Sequence, residues 1–433
     1  MAIAALSWLQ PVTPPSRIAG PTTPLPVPGA GPSTDALPAA GRLTIDQRID
    51  FWAARVSEQP SDFLSLVQLG LAHAESARLA GDLDGYGRAS AAIDRALALS
   101  PEYPPAIRAR ATVRYALHDF AGAAADAGRV LAGLPDDPVA LATLADSQLE
   151  LGRIDQAREG YRALESIAPG PALDVRLARL AYLTGDRQGA VGLARAALAA
   201  APSVIGDSVE RGFYEYALGE YARLAGDRAT ARAGFERALA LRPTDLGALV
   251  GLARIEASEG RVRVALGLLD GAAAIAPQPE VMTLAGDLLH LEGDEAGATE
   301  RYETVRLTGV LAGLPSAVYD RQLLLFELDR DGATEELVAA ARSALADRSD
   351  AAGHDLVAWA AYRLGRLDLA AAESDTALAT GIRDARLIYH AGAIAIATGD
   401  RVRGEALIRE ALALGPALDP LETAQARRLL GGG

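Results

Sequence analysis

The side chains that could perform acid–base or metal chemistry are few and poorly placed for it. Five histidines, His73, His118, His290, His354 and His390, are scattered singly, and none meets a second histidine at a ligating spacing such as H-E-x-x-H. With no cysteine there is no thiolate ligand, cysteine nucleophile or disulfide. With no lysine there is no G-x-x-x-x-G-K-[ST] phosphate loop, and no G-x-S-x-G elbow occurs either. Carboxylates are abundant, but they fall in turns and on polar helix faces, where capping and solvation account for them. No catalytic residue, metal ligand or cofactor site is expected, and an enzyme with an unrecognised site is the weakest of the functional readings.

The elements that would position any site are helices. Half of the 433 residues are hydrophobic but only 5% are aromatic, so the core is built from Ala, Leu, Val and Gly, which suits closely packed helices better than a β-sandwich. The net charge of -14 argues against nucleic acid as a partner, since phosphate binding needs a basic surface. All 42 residues in the Lys and Arg count are Arg, and Asn is absent as well. A coding bias towards GC-rich codons accounts for that.

The first forty residues differ from the rest. "MAIAALSWL", Met1 to Leu9, is an apolar stub too short to span a bilayer. Two readings of it stand: the tail of an export signal or anchor whose start lies upstream of Met1, or a disordered cytoplasmic terminus. Gln10 to Gly41 is rich in Pro, Thr, Gly and Ala and predicts an extended linker. The organisation is therefore residues 1–42 as stub and disordered linker, 43–416 as a helical array, and 417–433 as a closing helix with a flexible Gly tail. No apolar run is long enough for a transmembrane helix, and localisation, cytoplasmic or cell-envelope, is left open.

From Leu43 onward the chain repeats itself. "LADSQLELGRIDQAREGYRALESIAP" (Leu144 to Pro169) returns with the same marks from Leu177 to Pro202, Leu218 to Pro243 and Leu252 to Pro277. The second letter is small (Ala145, Ala178, Gly219, Ala253), the ninth is Gly (Gly152, Gly185, Gly226, Gly260), and the fourteenth is Ala (Ala157, Ala190, Ala231, Ala265). Gly can take the left-handed conformation that ends a helix, and Asp after it can cap the next one, as in "TGDR" and "AGDR". Small residues let two helices approach, bulky Tyr161, Phe235 and Leu269 fill the gap between units, and Pro ends the second helix. His118 stands where other units have the turn Gly, a place it tolerates in the left-handed conformation. Asp419, Pro420 and Glu422 form a helix start signal for a closing helix, Leu418 to Leu430, whose apolar face would cover the last repeat.

This order of small residue, Gly turn, Ala, bulky residue and Pro over 34 residues resembles the tetratricopeptide repeat, here of bacterial type, from about Asp50 to Pro416. The resemblance implies an all-α fold, a right-handed α-solenoid of about ten stacked hairpins with a C-terminal capping helix. It also implies that the first helix of each unit lines a concave face that holds peptides or helices. Helical spacing then assigns Arg108, Tyr115, Arg179, Tyr182, Tyr216, Arg223, Arg254, Arg321, Trp359 and Tyr362 to that face as groove candidates, with Asp146, Glu220, Asp287 and His290 among them. Arg and aromatic residues are the usual anchors of binding surfaces. The family's Lys- and Asn-based clamp for chaperone tails is absent for want of both residue types. The leading expectation is a non-catalytic scaffold that binds protein or peptide partners, through an acidic segment if Arg is the anchor. The alternative is an exported component of a cell-envelope or secretion assembly.

Overall fold

The computed structural model describes residues 43–80, 83–201, 208–311, 317–330 and 332–431. The apolar stub, the Pro-rich segment and the connectors around Gly206 and Gly313 lie outside the described residues. Among the described residues there are 22 α-helices and no strand. A leading helix, α1 (Ile45–Glu58), is followed by α2 (Phe63–Ala80) and α3 (Leu83–Leu99), α4 (Pro104–Ala116) and α5 (Phe120–Gly133), α6 (Pro138–Glu150) and α7 (Ile154–Ile167). Next come α8 (Pro171–Leu183) and α9 (Arg187–Ala200), α10 (Ser208–Leu224) and α11 (Arg228–Leu241), α12 (Leu246–Ser258) and α13 (Val262–Ile275). The array continues with α14 (Pro279–Leu291) and α15 (Glu295–Leu311), α16 (Ala317–Arg330) and α17 (Glu335–Asp347), α18 (Ala351–Arg363) and α19 (Leu367–Ala379). It ends with α20 (Ala385–Ala397) and α21 (Arg401–Ala413), a 3-10 turn (Gly415–Ala417) and α22 (Pro420–Leu429). From α2/α3 to α20/α21 these are ten consecutive hairpins. None of the described helices is long and apolar enough to cross a membrane.

The repeated letters do what their chemistry requires. The turn glycines Gly152, Gly185, Gly226 and Gly260 sit at φ between +74° and +90°. His118 is the one non-glycine residue there among the described residues, at φ +62°. The Asp that follows caps the next helix: Asp186 accepts from the Gly189 amide at 2.8 Å and Asp227 from that of Thr230 at 3.0 Å. Ala145, Ala178 and Ala253 are buried on the first helices, as are Ala157, Ala190 and Ala265 on the second. The α10/α11 crossing is close: a methyl group added at Gly234 would lie 2.8 Å from the Gly219 backbone. Tyr161, Phe235 and Leu269 are buried between units.

The array does not stay open. Arg187 of α9 donates to the Arg383 carbonyl at 2.7 Å, and the Arg383 amide donates to the Leu183 carbonyl at 3.3 Å. The hairpin array thus curls until its last units stand against its middle ones. At the C-terminus, Leu418 and Ala426 pack with Tyr389, Ile408 and Ala411, so the closing helix covers the last hairpin as its sequence implies.

Candidate functional site

The curl encloses the face formed by the first helices of the middle hairpins. Two adjoining cavities remain there, one of about 250 Å³ and one of about 120 Å³. Arg179, Arg254 and Arg321 line the larger, and Tyr182, Tyr216 and Arg223 line the smaller, which also shares Arg179 and Arg254. Six of the ten groove candidates are therefore brought together. Arg108, Tyr115, Trp359 and Tyr362 lie outside the linings of both.

Each candidate has a partner within the chain, and the reason is the repeat itself. The nearest polar groups to a concave side chain are those of the adjacent unit, about thirty residues away. Arg108 pairs with Asp137 at 2.6 Å, Arg179 with Glu150 at 2.5 Å and Arg321 with Asp350 at 2.6 Å. Asp137 and Asp350 also cap α6 and α18, so each serves a helix start and a neighbouring unit together. Trp359 donates from Nε1 to Asp329 at 2.7 Å and lies flat on His390, ring centres 3.9 Å apart. Tyr362 stacks on Trp359 with ring centres 5.0 Å apart. Tyr115 is buried edge-on against Phe120, and Tyr216 is buried against Gly247 and Phe235.

Of the remaining three candidates, one pairs within its own helix and two reach far along the chain. Arg223 forks onto Glu220 of its own helix, with Nε and Nη2 at 2.9 and 2.6 Å. Tyr182 donates to Asp384 at 2.9 Å, and Arg254 donates to Asp419 at 2.8 Å while pairing with Glu280 at 2.9 Å. Asp146, the non-repeating residue of the first quoted window, is buried and receives Tyr161 at 2.9 Å and Arg176 at 2.9 Å.

Of the acidic side of this arrangement the sequence marked only the helix start at Asp419 and Glu422. Asp384, Asp419 and Glu422 stand against the arginines, and Arg386 binds Asp419 at 3.1 Å and Glu422 at 2.5 Å. Asp419 was legible only as a helix cap. Burial works against ionising Asp419, yet Arg254 and Arg386 outweigh it and hold the carboxyl well below the usual range. Glu422 goes the other way: burial, with Asp419 beside it, pushes it up despite Arg386. His118 is pulled down to about 3 by burial and by Arg348 and Arg179, so it stays a neutral imidazole stacked on Phe120. Among the described residues no group of three His, Asp or Glu is arranged to hold a metal ion.

Stacked helix hairpins, left-handed glycine turns and an inner face built from first helices define an α-solenoid. Residues 114–174 of this array match the tetratricopeptide repeat family model. No curated protein matches the chain. Among solved structures it is similar to human IFIT1 in a dimer with PPP-AAAA, at 18% identity, 76% of this chain, 77% of that chain and a TM-score of 0.46. It is similar to PilW, a type IV pilus biogenesis factor, at 18% identity over 49% of this chain and 96% of that one, TM-score 0.40. It is also similar to a chain of the APC/C hetero-tetramer Cut9-Hcn1, at 15% identity over 89% and 93%, TM-score 0.33.

Proposed function

We propose that the protein is a non-catalytic scaffold that holds a protein or peptide partner on its concave face, through an acidic segment of that partner. The observation that supports this is the gathering of Arg179, Arg254 and Arg321, from three separate hairpins, around one cavity of about 250 Å³ that also presents Leu149 and Phe326. Guanidinium forks match carboxylates in geometry, and here they already hold carboxylates of the chain itself, Glu150, Asp419 and Asp350, which an acidic partner segment would have to displace. Three of the five histidines support the non-catalytic part of the reading, because packing already uses them. His390 is held by Asp355 and Trp359, His354 by Glu373, and His118 by Phe120.

Charge reversal of these arginines would strand buried carboxylates, so the test removes a pair together. In Arg179→Gln/Glu150→Gln no charge is left unpaired, and helicity by circular dichroism should match the parent chain. Partners of the full-length protein captured from its source cells and cross-linked to it should be lost from the variant, and their cross-links should fall on first helices. Equal capture, with cross-links confined to second helices, rejects the reading.

A further inference from the structure

The inner face is already occupied, and its occupant has a definite chemistry. Helix α22 is ten residues long and starts on a capping box in which Asp419 and Glu422 satisfy each other's backbone, the Asp419 amide donating to Glu422 at 3.2 Å. The same two carboxylates turn outward from α22 onto arginines of distant units: Asp419 onto Arg254 at 2.8 Å across 165 residues, and both onto Arg386. Leu421 and Ala426 are buried beneath the helix, and Tyr389 donates to Gln425 at 2.9 Å. Arg427 and Arg428, at its far end, are exposed. The helix therefore presents a paired acidic start and an apolar face, and leaves its basic end in solvent.

We infer that the concave face is a receptor for an amphipathic helix that begins on paired carboxylates, and that α22 is a resident pseudo-ligand which such a partner helix replaces. This rests on the scaffold reading proposed above. Three features support replacement over a permanent seal. A helix of ten residues is marginal on its own, so α22 owes its shape to the face beneath it and gives up little internal structure on leaving. It hangs on a short 3-10 turn in which Gly415 takes φ +59°, a left-handed conformation that glycine adopts without strain and from which the chain can turn. Its two anchoring arginines, Arg254 on α12 and Arg386 on α20, belong to the array and stay behind to meet a similar pair of carboxylates. Because α22 is tethered, it competes at high effective concentration, and a free helix must bind better than the resident or find it loosened.

The probe is a labelled peptide with the sequence of Leu418 to Leu430, titrated into the full-length chain and followed by fluorescence anisotropy. Asp419→Asn/Glu422→Gln keeps the cap but removes the charges of the resident helix, and should bind the peptide at least about tenfold more tightly than the parent. Adding Arg386→Gln to that variant should return affinity to the parent level or below, and a peptide with Asn and Gln at the two acidic positions should not bind. In the parent chain, excess peptide should speed amide hydrogen exchange within Leu421–Leu429. A folded double variant that binds no more tightly than the parent, or binding indifferent to Arg386→Gln, overturns the inference. If the double variant does not fold, the parent decides alone: unchanged exchange of α22 under excess peptide overturns it, and accelerated exchange supports it. Loss of partner capture in Arg179→Gln/Glu150→Gln alongside no peptide binding would reject the replaceable helix while leaving the scaffold reading intact.

Discussion

The hydroxyl of Tyr182 donates to the carboxylate of Asp384, 2.9 Å away in space and 202 residues away in sequence. The same carboxylate starts α20 by accepting from the Arg386 amide at 3.0 Å, so one group serves a helix end and a contact between distant units. Burial and Asp384 both keep the Tyr182 phenol protonated far above its usual range, which keeps it a donor. Tyr182→Phe should cost roughly 1–3 kcal/mol in urea denaturation, because a hydrogen bond to a half-buried carboxylate is lost. Asp384→Asn should cost less, since an amide oxygen can still accept from the phenol.

His390 gives a pH dependence. Burial lowers its pKa, but Asp355 at 2.9 Å, with Glu422 and Asp329 nearby, raises it overall. A raised folded value means that the pair's stabilisation is complete below the unfolded value of about 6.5 and is lost as pH rises through the folded value. Trp359 lies on the imidazole, so its fluorescence reports the titration. In a chain with Trp8 and Trp52 changed to Phe, quenching by the protonated ring should be relieved with a midpoint above about 6.5, and His390→Gln should abolish the step. A midpoint at or below that value contradicts the pairing.

Gly234→Ala tests one close helix crossing. The added methyl would meet the Glu215 carbonyl oxygen and the Gly219 backbone at 2.8 Å, atoms that cannot swing aside. We expect a loss of about 1–3 kcal/mol and a lower melting temperature. At Gly267, where a methyl would touch nothing, the same change should stabilise or be neutral.

At His118 the backbone and the ring pull apart. Its φ of +62° penalises any residue with a Cβ, while its ring stacks on Phe120 at 5.3 Å. His118→Ala forfeits the ring and keeps the strain. His118→Gly forfeits the ring and relieves it, and should be the more stable of the two by about 1 kcal/mol in thermal denaturation.

The hairpins were legible because their constraints are local. Gly152, at φ +74°, turns the chain just after α6, and Gly160 on α7 must lie against Ala145 on α6, whatever the rest of the chain does. Arg179 and Tyr182 were placed on the inner face for the same reason. Their partners split into two kinds. Glu150, Asp137 and Asp350 lie 29 residues from the arginines they bind, a repeat-length spacing of opposite charges that a reader of the sequence could have searched for. Asp384 and Asp419 lie 202 and 165 residues from theirs. Those distances depend on small rotations accumulated over many units, and no periodicity encodes the sum.

The contact between Tyr182 and Asp384 also changes how the molecule should come apart. In an array whose units touch only their neighbours, loss of one end leaves the middle intact, and denaturation proceeds piecemeal. Here the fourth hairpin holds the tenth, so melting the C-terminal units strips side-chain partners from the centre, and melting the centre frees the end. The unfolding transition from the fourth hairpin onward should therefore be steeper than the sum of its repeats, closer to that of a globular domain than to a chain of beads.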